Sequence, residues 1–432
     1  MRPALTITLL CVSILTLPLA TWMFLVELPS IAAGPAVPVS SGKSYPPSTL
    51  PFVRTSADPQ PVGLAEITNV QIADLDGDKR NEILACDSSR SCLIQLTLNP
   101  AGQWQEQVLI KDLSAPAHVT VVDIDRDGDQ DLIVSILGNL LPDDSVIGRV
   151  ELYEHKDGSY VRHVLLDDVR RVADVQAGDL DGDGDTDLAV AVFGYSRGAV
   201  LWLENKQNFQ FERHELLNAP GAIHVPIADF DGDGDLDIAT GVSQDEEELW
   251  GFENLGGGKF KARQLWMTVN LDLGSAGLVQ ADLDRDGDMD LLLPAGDNLE
   301  DFDAYGQPYH GCYWFENQGN WKFVEHRIAD LPGTYAAATS DLDHDGDLDV
   351  VLASMTNDWT NPRAASVVWL ENDGRQNFKT WQIDSHPIHL VTVAVGDIDG
   401  DGKDDIVGGC LNLRPPFQRL GRVTAWTQRA DR

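Results

Sequence analysis

The residues best suited to chemistry in this chain are aspartates set at every second position. "ADFDGDGDLDIAT", residues 228–240, carries Asp229, Asp231, Asp233, Asp235 and Asp237 and then turns apolar. Like charges this close repel one another, so the loop needs a compensating cation. Hard oxygen ligands one residue apart on a tight turn suit Ca2+, which takes about six to eight oxygens in flexible geometry. Mg2+ fits less well, because it demands near-octahedral geometry and keeps its waters.

The same loop recurs, opening at Asp74, Asp123, Asp179, Asp229, Asp282, Asp341 and Asp397. Counted from that first aspartate, positions 1, 3, 5, 7 and 9 are the candidate metal ligands. They are Asp74, Asp76, Asp78, Arg80 and Glu82 in the first loop, and Asp123, Asp125, Asp127, Asp129 and Asp131 in the second. The third holds Asp179, Asp181, Asp183, Asp185 and Asp187, the fifth Asp282, Asp284, Asp286, Asp288 and Asp290. The sixth holds Asp341, Asp343, Asp345, Asp347 and Asp349, the seventh Asp397, Asp399, Asp401, Lys403 and Asp405. Position 7 varies, which fits a main-chain carbonyl ligand. Position 6 is glycine in every loop but the first, where Lys79 replaces it. An EF-hand fails, since it needs Glu at position 12 and flanking helices, whereas position 12 is Val134 in the second loop and Thr240 in the fourth.

The elements that must hold these loops are short strands. In the second unit "HVTVVDID" precedes the loop, and "DLIVSIL", "GRVELYEH" and "YVRHVLL" follow it. Four strand patterns per unit, with no helical period, make one antiparallel propeller blade. The loops recur at spacings of 49 to 59 residues, and each unit is too small to bury a core alone. The expected fold is therefore all-β, a seven-bladed propeller over residues 51–432. "LWLENKQNFQF", "GFENLGGGKF", "YWFENQGNWKF" and "VWLENDGRQNF" supply third and fourth strands, with hairpin turns between aromatics that pack between blades. The last unit lacks a fourth strand pattern, and "LPFVRTSAD", Leu50 to Asp58, resembles one. It is expected to pair beside "GRVTAWTQ" and close the ring, which leaves no bare sheet edge.

This loop, D-x-D-x-D-G-x-x-[DE] between two strands and repeated sevenfold, resembles the FG-GAP/VCBS repeats of the integrin alpha-subunit head and its bacterial relatives. The resemblance covers roughly Pro51 to Gln428. It implies a seven-bladed propeller with Ca2+ between the first and second strands of each blade, held by the positions named above. The Phe-Gly/Gly-Ala-Pro consensus is degraded, with "NAPGAIH" keeping a trace. No integrin leg is visible, so an integrin itself is not implied.

A net charge of −38, with 31 basic against 69 acidic residues, excludes nucleic acid and anionic membrane surfaces as partners. Positions 4–26 carry no charge after Arg2, so residues 1–33 are expected to be a signal peptide or N-terminal membrane anchor. That segment is the one expected membrane contact. Residues 34–50, "GPAVPVSSGKSYPPSTL", are a Pro- and Ser-rich linker and form an extended tether. The rest is expected outside the cytoplasm, in a bacterial periplasm or at a cell surface, since no N-x-[ST] site favours a glycosylated protein. Cys86 and Cys92 flank a five-residue turn, and in that compartment a disulfide between them is expected.

With the loops on one face, a ligand would use the other. Five residues before position 1 stand Asn69, His118, Asp174, His224, Gly277, Ala336 and Thr392. Period-two alternation turns them toward the central channel. Asn69, His118, Asp174 and His224 are candidate ligand-binding groups, weighed against a plain hydrated lining. The long loops at 297–311 and 355–366 add Tyr305, Tyr309, His310 and Trp359 as candidates for sugar stacking or protein contact. "GYSRG", residues 194–198, matches a nucleophile elbow but has no helix after it, and is a chance match. The expected function is a calcium-stabilised recognition or adhesion propeller for a protein or carbohydrate ligand. The alternative is a carbohydrate-active enzyme, a polysaccharide lyase or sugar dehydratase, with His118 or His224 as general acid or base.

Overall fold

Residues 42–57, 64–141, 143–244, 247–297, 299 and 305–429 are described by a computed structural model of the chain. The expected signal or anchor segment and Asp58 lie outside them. Among the described residues no helix is long and apolar enough to cross a membrane.

All regular elements there are β-strands, arranged in seven four-stranded antiparallel sheets. Blade 1 spans Ile67–Lys111, blade 2 Pro116–Val169, blade 3 Val172–Leu217 and blade 4 Ile227–Thr268. Blade 5 spans Val279–Ala329 and blade 6 Thr334–Asp384. Each runs outward from the channel in sequence order. Blade 7 differs. Its inner three strands are Leu390–Gly396, Asp405–Cys410 and Val423–Gln428, and its outer strand is Phe52–Ser56. Phe52 pairs with Gln428 and Ser56 with Thr424.

Every second strand is buried along its whole length, Glu82–Asp87 and Asp187–Val192 among them. These strands are sandwiched on both faces, so the polar–apolar alternation of an open sheet is missing. The outer strands alternate in part, as over residues 104–108. Seven apolar cores fill the gaps between neighbouring blades rather than the centre. One joins Val150 and Leu152 of blade 2 to Val190 and Leu201 of blade 3. The last joins Val407 and Ala425 of blade 7 to Ile83 and Ile94 of blade 1, so the ring is continuous. No blade buries its own surface alone, which is why the repeats fold as a set.

Two expectations change here. The linker does not remain a free tether throughout: its second half lies along the outer edge of blade 6. Ser48 N donates to Gln382 O at 2.8 Å, Gln382 N to Pro46 O at 2.7 Å, and Trp369 Nε1 to Ser48 Oγ at 2.9 Å. An open sheet edge offers unpaired backbone groups, and a prolines-and-serines strand can satisfy some of them. The Cys86–Cys92 disulfide is also absent, and both thiols are free and buried. Cys86 stands opposite Leu93 and Cys92 opposite Asp87, one register step apart. Their side chains therefore leave opposite faces of the sheet. Cys86 packs between blades 1 and 2, and Cys92 between blades 7 and 1.

Candidate metal loops and the central channel

All seven acidic loops join the inner and second strands of their blades, so they share one face of the ring. Their backbone is fixed by their own carboxylates. The position 1 aspartate accepts from the position 6 N–H in every loop, as in Gly234 N to Asp229 Oδ2 at 2.9 Å. The position 7 N–H likewise donates to the position 5 carboxylate, at 2.9 Å between Asp235 and Asp233. Arg80 and Lys403 make this same bond with their main chains, at 2.8 and 3.0 Å, so charged side chains at position 7 leave the turn intact.

Position 9 is the buried member. Asp237 Oδ2 accepts from Phe230 N at 2.9 Å, and Oδ1 from Asn254 N at 2.7 Å. Burial pushes these carboxyls up, to about 6 for Asp131 and Asp187 and about 7 for Asp237, Asp290, Asp349 and Asp405. A bound cation returns such groups to the charged form.

The residues fit a calcium ion. Carboxylate oxygens of Asp74, Asp76 and Asp78 lie within 4.8 Å of one another, as do those of Asp123, Asp125 and Asp127. The same holds for Asp179, Asp181 and Asp187, and for Asp229, Asp231 and Asp237. Asp231 Oδ1, Asp282 Oδ1 and Asp341 Oδ1 are buried oxygens with no hydrogen-bond partner. A buried acceptor left unpaired is costly, and all three stand at candidate ligating positions, which is what a cation would satisfy.

Two features of this face were not read from the sequence. Position 4 is left-handed as well as position 6, and three loops place Arg126, Arg285 and His344 there at φ of 63°, 61° and 59°. The asparagine of the two "FEN" words also ties blades together, whereas that of the "LEN" words bonds within its own blade. Asn317 Nδ2 donates to Met289 O in its own blade and to Phe230 O in blade 4, at 3.0 and 2.8 Å. Asn254 reaches back to Leu180 O in blade 3 at 2.9 Å. The repetition of that asparagine was the available signal.

The channel forms a cavity of about 580 Å³, and all seven ring residues line it: Asn69, His118, Asp174, His224, Gly277, Ala336 and Thr392. A β-bulge precedes five of them, for example between Pro116 and His118 and between Val172 and Asp174. The extra residue re-aims the strand, a device sequence alternation does not reveal. Three ring side chains join neighbouring blades. Asn69 Oδ1 accepts from Val119 N at 3.3 Å, Thr392 Oγ1 from Val70 N at 3.1 Å, and Asp174 Oδ2 from Val225 N at 3.0 Å. Asp174 Oδ1 also stands 3.2 Å from His118 Nδ1, and its Oδ2 stands 3.5 Å from His224 Nδ1. Burial alone would raise the Asp174 carboxyl, but the two imidazoles and the Val225 N–H outweigh it and hold it well below the carboxylate range. Burial lowers His118. At one end of the channel Met355, Val391 and Leu411 gather with Leu140, Leu299 and Leu413 into an apolar cluster.

The long-loop candidates divide. Tyr305 is 55% exposed. His310 is fully buried, its Nδ1 accepting from Gln307 N at 3.2 Å and Gly333 N at 3.1 Å, and burial pushes it down to about 4. It holds its loop and does not face a ligand. Tyr309 is half-buried against the core between blades 4 and 5, and Trp359 is half-buried between Arg419 and His389. A turn rich in polar residues hides such burial from the sequence. Ser196 of the "GYSRG" match sits between two strands, bonded to Asp144.

An FG-GAP-like repeat profile matches residues 65–134, 179–240 and 341–408. The protein is a seven-bladed β-propeller, and those three stretches are similar to FG-GAP-like repeats. The crystal structure of BBS1N in complex with ARL6DN, soaked with lead, is similar at a TM-score of 0.53 and 12% identity, over 88% of this chain and 96% of that one. The α-L-arabinofuranosidase Arb93A from Fusarium graminearum superposes with a TM-score of 0.46 at 12% identity, over 72% and 93%. The rhamnogalacturonan lyase YesW follows at 0.43 and 17%, over 78% and 65%. At these identities the likeness is one of fold. No curated protein matches the chain.

Proposed function

We propose that this is an exported, calcium-stabilised recognition propeller that binds a protein through the face opposite its acidic loops. The observation that carries this is the placement of exposed apolar side chains. Leu141 and Val146 lie in the loop between the second and third strands of blade 2, and Tyr195 in that of blade 3. Val269 and Leu271 lie between blades 4 and 5, Phe417 and Leu420 in blade 7. Every one of these connections is on the face away from the loops, and Val269 is 94% exposed. The concentration of exposed apolar side chains on one face favours that face for interaction. The set is dominated by Leu and Val, which offer no flat ring for a sugar, so protein is favoured over carbohydrate. Calcium in the opposite loops makes the scaffold rigid, and the compartment is the extracytoplasmic one that the N-terminal residues suggest.

The test is photo-cross-linking in the native envelope from a probe at Leu271, with Leu255 as control. Leu255 is 57% exposed but lies beside the acidic loops. A protein adduct from position 271 and none from 255 supports the reading; equal labelling, or none from 271, overturns it.

A second reading, a carbohydrate-active enzyme, is favoured by one observation: Asp174 lies between two histidines in the cavity. Turnover of a polysaccharide that is abolished by His118→Ala and His224→Ala would establish it.

A further inference from the structure

The channel holds a cluster that neither the acidic loops nor the apolar face uses. His118, Asp174 and His224 occupy the same position on the inner side of three consecutive blades. One carboxylate faces two imidazole nitrogens, with a different oxygen toward each, at 3.2 and 3.5 Å. His118 Nδ1 is a buried atom with no hydrogen-bond partner, although a carboxylate oxygen lies 3.2 Å away. With Nδ1 in its unprotonated tautomer, that nitrogen and the carboxylate oxygen are placed as two ligands of one ion. Donors bound at about 2.0–2.2 Å around an ion stand about 3.0–3.5 Å apart.

We infer that His118, Asp174 and His224 form a binding site for a first-row divalent transition ion of the Zn2+ or Co2+ class, with its remaining coordination positions open to the channel. Two imidazoles and one carboxylate suit such ions, whereas Ca2+ prefers oxygens alone. The orienting contacts are in place. Gln176 Nε2 donates to Asp174 Oδ1 at 3.0 Å and Val225 N to Oδ2 at 3.0 Å, which leaves a lone pair on each oxygen. Gln71 Nε2 lies 3.5 Å from His118 Nε2. With that carboxamide turned, its oxygen accepts the Nε2–H and frees the Nδ1 lone pair for metal. The open positions look onto a cavity whose other wall is Gly277, Ala336 and Val393, so a small ligand can reach the ion. The site is independent of the apolar face, and a chain that fails to cross-link at Leu271 would still bind the ion.

The test is a Co2+ titration of the full chain in saturating Ca2+. It is run in a His214→Ala background, because Glu204, Glu212 and His214 form a second group of close donor atoms on the outer strands of blade 3. The expected result is one tight equivalent of Co2+ with visible d–d absorption, displaced by Zn2+. His224→Ala should weaken it by at least about 100-fold while leaving the calcium-dependent melting temperature unchanged. The His224 side chain is 32% exposed and that of Asp174 is buried, so His224→Ala perturbs the fold less, and Asp174→Asn serves as the second variant. No tight Co2+ equivalent in the parent, or the same affinity in a folded His224→Ala, overturns the inference and leaves a plain ion-paired triad.

Discussion

Lys79 stands at position 6 of the first loop with φ of 72°, where the six other loops have glycine. A side chain costs about 1–2 kcal/mol in that region, partly offset by the greater freedom of glycine in the unfolded chain. Lys79→Gly should therefore stabilise the domain by up to about 1 kcal/mol in urea denaturation. Asn317 is buried and bonded to carbonyls of two blades, whereas Asn205 donates only to Thr186 O. Asn317→Ala should cost about 2–3 kcal/mol and Asn205→Ala about 1, because unpaired buried carbonyls carry a desolvation penalty. Glu151 gives a pH signature. Burial would raise it, but Arg162, Tyr153 and Arg149 hydrogen-bond its carboxylate and hold it at about 2, below its ordinary 4.5. A depressed carboxyl stabilises above its unfolded value, and that share is lost as pH falls through the folded one. The stability gap between the parent and Glu151→Gln should thus narrow from pH 4.5 down to about 2. At this scale the sequence was informative where a residue type has one use, as at position 6. It failed at His310, where the same imidazole serves as a buried staple.

At the scale of elements, spacing carried most of the information. The acidic words marked the junction between inner and second strands in all seven blades, because only a tight turn tolerates that composition. The bulges before His118 and Asp174 left no mark, since a one-residue offset changes no residue type. The facing of Cys86 and Cys92 was misread for the same reason: one register step separates a bridge from two thiols on opposite faces. The strand Phe52–Ser56 carries a prediction at this level. Removing residues 50–57 strips the outer edge from Val423–Gln428 and takes Ala57 from the core between blades 7 and 1. Loss of cooperative unfolding is expected by calorimetry, and a deletion variant that melts like the parent would contradict it.

For the whole molecule, one face carries the carboxylate loops and the other most of the exposed Leu and Val side chains. On the proposed reading, calcium would act on stability as a ligand of the folded state alone. At about tenfold excess over its dissociation constant each site adds about 1.4 kcal/mol, so seven add about 10 kcal/mol. Chelation should lower the melting temperature steeply, and an unchanged melting point would refute a structural role for the ion. The outline of this molecule was legible because the repeat is read seven times; its partner was not, because apolar loop residues repeat nothing. The outer strand of blade 7 has one more consequence. Thr427 Oγ1 meets Val53 O across 374 residues. Six blades are built from neighbouring stretches, but the seventh joins Phe52–Ser56 to Val423–Gln428 and cannot form before the latter is made. A translation product cut short of Val423, or one trimmed there by a protease, is not a slightly smaller working protein. It has a bare edge on Asp405–Cys410 and an orphaned Phe52–Ser56, and such edges recruit other chains. The clasp is in effect a length check, passed only by chains that extend through Gln428.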